Sequence, residues 1–338
     1  MKEAFPEADE ALEEPPAAPH PAKRVVVFLL EYVLGISLIL WMAFSGRLDL
    51  SAARSLPSLL LAQGAALIAV QTLLGAVRVR YILAHQGIRT GVWQCVLYNC
   101  AGILYSAFLP GGISGDAARA FYFFGDARER RIAVVGALLL DRFLGLVTLI
   151  ALGIVSGLFL ASVLPRVVPY LVWSSALLVA MVAAFVVALR YEIEHRQTPG
   201  AHRLLRIWEG ARGAFARLHL DEYSARTLAI SVALSVLMNV LMIALIYVCS
   251  ILNGARLGLV EVSAAAPLGL LTNAVPLSPG GLGVGEKSFD VLYRALGGTH
   301  GAGSFLTTRV FLYCPAVLGG IVAAWYLLAL RRTPAAKG

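Results

Sequence analysis

Six predominantly apolar stretches punctuate the chain: Val25–Ser45, Pro57–Val77, Phe143–Val163, Tyr170–Leu189, Thr227–Leu252 and Val310–Leu330. Each approaches or exceeds the ~20 residues a helix needs to cross a ~30 Å hydrocarbon core, so each predicts a full membrane span. Two shorter apolar stretches, Trp93–Leu109 and Val262–Leu277, carry Asn99 and Asn273 and run into proline-glycine breaks. They predict either re-entrant helical hairpins or two further spans. The breaks themselves nearly repeat: Pro110-Gly111-Gly112-Ile113-Ser114-Gly115-Asp116 and Pro279-Gly280-Gly281-Leu282-Gly283-Val284-Gly285-Glu286. Each is followed by an arginine embedded in apolar sequence, Arg142 and Arg309, which predicts an internal duplication. The expected division is repeat one at about 57–189, a basic loop at 190–226 and repeat two at about 227–330, all within a membrane domain at 23–330.

Charge decides how the short stretches cross. With six spans, two re-entrant hairpins and a cytoplasmic amino terminus, the lysines and arginines outside the membrane divide 20 inside to 6 outside. Eight full spans, with the amino terminus outside, divide them 15 inside to 11 outside, so the positive-inside rule favours the hairpins. The first hairpin then enters from the cytoplasm and the second from outside, which makes the two repeats inverted. The carboxy terminus, with Arg331-Arg332 in a basic tail at 331–338, is cytoplasmic in this arrangement.

Composition agrees with this class: 59% hydrophobic residues, 14% charged residues and a mean hydropathy of +0.78 describe an all-α multispanning membrane protein. The net charge of +8 conceals an acidic, proline-rich tail at 1–22 that reads as disordered; without it the chain carries +13. Its arginines are spread over short loops, which suits anionic lipid headgroups and not nucleic acid. Within the basic loop, Leu204, Trp208, Ala211, Phe215 and Leu218 share one helical face, which predicts an interfacial or linker helix. Cys95, Cys100, Cys249 and Cys314 lie in apolar sequence and read as packing residues, so neither a disulfide nor a metal or other cofactor is expected. The stretch at 25–45 lacks a cleavage site and reads as a retained span.

Candidate chemistry gathers at the breaks. Glycines there permit positive φ and leave backbone N–H groups uncovered before helices expected at Asp116–Phe124 and Glu286–Leu296, a setting that attracts phosphate. Gly111, Gly112, Gly280 and Gly281 are the residues concerned. Asp116 and Glu286 fall in the first helical turns, as caps, as proton-titratable partners of an arginine or as a site for a coupling cation, and Arg119 is placed to pair with Asp116 three residues away. An arginine at the centre of a span is unfavourable by ~2.5–3.5 kcal/mol, so Arg142 and Arg309 each require a phosphate or a carboxylate. Asp141 cannot serve Arg142, because adjacent helical residues diverge by about 100°. Asn99 and Asn273 are expected to satisfy backbone freed at the breaks, and Arg78 and Arg80 to anchor the cytoplasmic end of the second span.

The order Arg80, Asn99, Pro110-Gly111-Gly112 with Gly115-Asp116 and Arg119, Asp141-Arg142-Phe143-Leu144-Gly145, Pro279-Gly280-Gly281-Leu282-Gly283 with Glu286, and Arg309 resembles the membrane region of the lysylphosphatidylglycerol synthase and flippase family. The resemblance spans roughly 25–330 and implies translocation of a lipid, with these residues as the site. The sequence carries no aminoacyltransferase or glycosyltransferase domain, so the resemblance does not carry lipid synthesis over to it. The competing classes are an integral-membrane lipid-modifying enzyme and an accessory subunit that recruits a separate lipid-synthesis enzyme. The histidines lie in loops and tails without ligand spacing, which favours a transporter of a phosphate-bearing lipid, anionic, aminoacylated or polyprenyl, over an enzyme.

Overall fold

A computed structural model describes residues 58–108, 114–127, 130–162, 168–194, 223–273 and 278–332, with isolated positions at 37, 44, 164 and 165. The expected first span, the acidic tail, the basic-loop helix and the tip Pro110–Gly112 lie outside the described residues. The described residues form nine α-helices: α1 Ser58–His85, α2 Val92–Phe108, α3 Ser114–Asp126, α4 Arg131–Ala161, α5 Val168–Glu194, α6 Ala225–Leu252, α7 Leu259–Asn273, α8 Val284–Ala295 and α9 Gly301–Arg332. Four of them are long and apolar enough to cross a membrane, at Ala62–His85, Arg131–Ala161, Val168–Phe185 and Ala225–Leu252. The stretch Val310–Leu330 falls inside α9.

Two span boundaries differ from expectation. Helix α1 continues through Arg78 and Arg80 to His85, and α4 begins at Arg131, well before Phe143. Apolar runs stop at a charge, whereas a helix continues through it if the charge finds a partner inside the protein. Arg78 and Asp141 are such partners, 2.7 Å apart.

Helices α2 and α3 form an antiparallel hairpin. Ser106 lies beside Gly115, Gly102 beside Gly115 and Arg119, and Tyr98 beside Tyr122 and Phe123. A methyl group at Gly102 or Gly115 would overlap the opposing helix, so these glycines set the close approach of the two backbones. Helices α7 and α8 make the second hairpin, with Phe289 of α8 stacked over the bare backbone of Gly269.

Helices α1 and α6 run antiparallel side by side. His85 meets Thr227, Arg78 meets Ser235, and Gln71 meets the carbonyl of Met238. The whole packing pattern follows from this pair. Exchanging α1 with α6, α2 with α7, α3 with α8 and α4 with α9 maps the close helix contacts onto one another: α2 packs on α9 as α7 packs on α4, and α4 on α6 as α9 on α1. The helix contacts thus follow the same order in the two halves of the chain, and α1 and α6, which exchange with each other, run in opposite directions. Helix α5 stands outside this exchange, packed on α4 through Gly157 and Leu171 and through the stacked rings of Phe143 and Phe185. Its apolar side chains Val168, Val172, Trp173 and Val179 face outward, as lipid-facing residues do. Trp93 and Trp325 near one end of the bundle and Trp173 near the other are also exposed, in keeping with interfacial anchors.

Candidate functional site

The charged side chains of repeat one converge between α1, α3, α4 and α6. Asp141 on α4 is buried, and its Oδ1 accepts from Arg78 Nε at 2.7 Å while its Oδ2 accepts from Arg119 Nη2 at 3.4 Å. Arg78 also donates from Nη1 to the Ser235 hydroxyl on α6, 2.6 Å away. Gly145, one turn beyond Asp141, lies against the Arg78 guanidinium. Asp116 in the first turn of α3 receives Arg119 Nη1 at 3.2 Å, and Arg142 Nε and Nη2 at 2.9 and 2.8 Å. Asp141 and Arg142 thus diverge to different partners, as helical geometry requires. Three arginines and two aspartates leave the cluster with an excess of one positive charge.

Exposure divides this cluster into a floor and a mouth. The Arg78 and Asp141 side chains are 8% and 3% exposed, whereas Arg142 is 56% exposed and Asp116 23%. Arg142 lies eleven residues into α4, or ~16 Å from its start, near half the thickness of a ~30 Å core.

Repeat two repeats the pairing but closes it. Arg309 on α9 meets Glu286 in the first turn of α8, with Nε 2.5 Å from Oε1. Its Nη1 donates to the Gly280 carbonyl at 2.6 Å and the Tyr313 hydroxyl at 2.9 Å, and its Nη2 to the Gly281 carbonyl at 2.7 Å. The guanidinium also lies over the Phe305 ring, 4.8 Å from its centroid. Glu286 in turn accepts from the Gly283 N–H at 2.7 Å, so it caps α8 and binds the arginine together. Gly280, Gly281 and Gly283 have φ of 57°, 68° and 78°, the left-handed region that side chains disfavour. Arg309 therefore ties the Pro279–Gly281 turn to the helix behind it. With side-chain exposures of 4% and 0%, Arg309 and Glu286 are a strut within the protein.

The remaining sequence candidates take supporting places. Arg80 is on the surface and donates to the Thr90 carbonyl, 3.0 Å away, in the link to α2. Asn99 packs beside Gly75 of α1, and its Oδ1 is buried without a partner among the described residues. The Asn273 side chain, Gly111 and Gly112 lie outside the described residues. Arg78 is a correction: expected as a surface anchor, it is buried because Asp141 and Ser235 take its charge and its N–H groups. The helical period holds the missed signal, since Arg78 and Arg80 differ by about 200° and cannot share a face. Asn239 was also missed; it donates to the Gly145 carbonyl and the Thr148 hydroxyl, locking α6 to α4 beside the cluster.

A family model for the lysylphosphatidylglycerol synthase transmembrane region matches residues 28–320. The chain belongs to this family. The match covers both breaks, both hairpins and every charged residue of the two sites. Together with the apolar helices, it makes the chain a multi-pass membrane protein of lipid metabolism or transport. A search among curated proteins gives no match.

Proposed function

We propose that this protein is a flippase that moves a phosphate-bearing lipid across the cytoplasmic membrane, with the repeat-one cluster as the headgroup site. The observation that carries this reading is Arg142, an open guanidinium at mid-depth in an apolar helix, beside a cluster with surplus positive charge. Arginine suits the task, because its planar fork offers a phosphate two parallel hydrogen bonds. In this reading the two hairpins are re-entrant and enter from opposite faces, the cytoplasmic face being the one where α1 ends. Support comes from the antiparallel α1 and α6, and from the Pro279–Gly281 turn packed against α2 of the other half. The headgroup passes along the polar interior while the acyl chains stay in lipid, and no covalent step is required.

Purified protein in proteoliposomes tests this with a labelled phosphate-bearing lipid, following both its transbilayer movement and its mass. Movement without a change of mass is expected, and Arg142→Ala should slow it at least ten-fold, equivalent to ~1.4 kcal/mol in the barrier. Arg142→Lys should recover part of the rate. A new lipid product would favour a lipid-modifying enzyme, and neither product nor movement an accessory subunit.

A further inference from the structure

We propose that Asp116 is an internal counter-anion that keeps the affinity of Arg142 for a lipid phosphate low enough for release. The inference rests on the headgroup-site reading of the cluster and assigns the tuning of that site to one residue. A guanidinium has two edges that accept an anion in bidentate fashion. Asp116 occupies the Nε–Nη2 edge of Arg142 through a single oxygen, Oδ1. Arg142 Nη1 and Asp116 Oδ2 have no partner among the described residues, so the second edge of the arginine is the one open to a ligand. A phosphate that docks there meets a charge already partly neutralised, and it also meets the field of the neighbouring carboxylate. Both effects lower its affinity.

The two aspartates of the cluster therefore do different work. Asp141, buried with both oxygens bound, holds Arg78 and Arg119 in place. Asp116 is the more exposed of the two and shares its one bound oxygen between Arg119 and Arg142. Repeat two supplies the contrast: every nitrogen of Arg309 faces an acceptor of the protein, so Glu286 builds a strut and has no open edge to tune. A transport site has to bind its cargo and also let it go, the same compromise that governs ion conduction.

The test uses the full chain in phosphatidylcholine nanodiscs doped with phosphatidylglycerol, and reads retained anionic lipid by native mass spectrometry. Movement in proteoliposomes is followed in parallel. Asp116→Asn should raise retention of the anionic lipid about ten-fold and slow its movement, while Arg142→Ala should lose it. If Arg142→Ala retains lipid as the unaltered protein does, the headgroup site itself fails. If Arg142→Ala loses lipid but Asp116→Asn retains it no better, the counter-anion role alone is overturned. Should Asp116→Asn prove polydisperse, Asp116→Ser carries the same comparison with a first-turn oxygen preserved. Misfolding of both variants would make Asp116 a structural strut and overturn the proposal.

Discussion

Burial, more than charge, separates the arginines of this protein by task. Arg78 and Arg119 are held by the buried Asp141, Arg309 is spent on Glu286 and two carbonyls, and Arg142 is paired yet open. Removing one partner of a buried pair strands the other, at a cost of ~3–5 kcal/mol, whereas exposed pairs contribute only ~0–1 kcal/mol. Asp141→Asn should accordingly lower the thermal unfolding midpoint in detergent by many degrees, and Arg142→Ala should leave it nearly unchanged while slowing lipid movement at least ten-fold. An Arg142→Ala variant as unstable as Asp141→Asn would show that the open arginine is a strut too. The divergence of Asp141 from Arg142 was legible in the sequence, since it needs only the turn of a helix. The burial of Arg78 was not, because its partners Asp141 and Ser235 are 63 and 157 residues away along the chain.

The hairpins depend on glycine for two separate reasons. In the first, Gly102 and Gly115 let two helices touch; in the second, Gly280, Gly281 and Gly283 hold a left-handed turn under the guanidinium of Arg309. Gly281→Ala should cost ~1–2 kcal/mol for the left-handed backbone alone. Arg309→Lys should cost more, because one ammonium cannot bind both turn carbonyls and the Glu286 carboxylate in the same planar arrangement. Thermal unfolding of both variants checks the order, and a fully stable Arg309→Lys would remove the strut from the account. The breaks and the helices after them could be read directly, since proline and glycine act locally. Where α1 ends and where α4 begins could not, because both helices run through charges that only tertiary partners neutralise.

At the level of the whole molecule, the antiparallel run of α1 and α6 fixes which loops share a face. The α1–α2 link lies beside the start of α6, as the contact of His85 with Thr227 shows. The α6–α7 link lies at the far end of α6, 28 residues away, or ~42 Å at 1.5 Å per residue. That distance exceeds a ~30 Å core, which predicts that the two links emerge on opposite sides of a bilayer. The excess of arginine around the α1 end predicts that this side is cytoplasmic. Single cysteines at the exposed positions Arg89 and Arg256, in a background without the native cysteines, put this to the test with an impermeant thiol reagent. Intact cells should label Arg256→Cys, and Arg89→Cys should react only after the membrane is opened. Labelling of both from outside would break the inverted arrangement, and the path from the Arg142 site to the opposite face would go with it. The reverse pattern would keep the halves inverted and reverse the protein in the membrane.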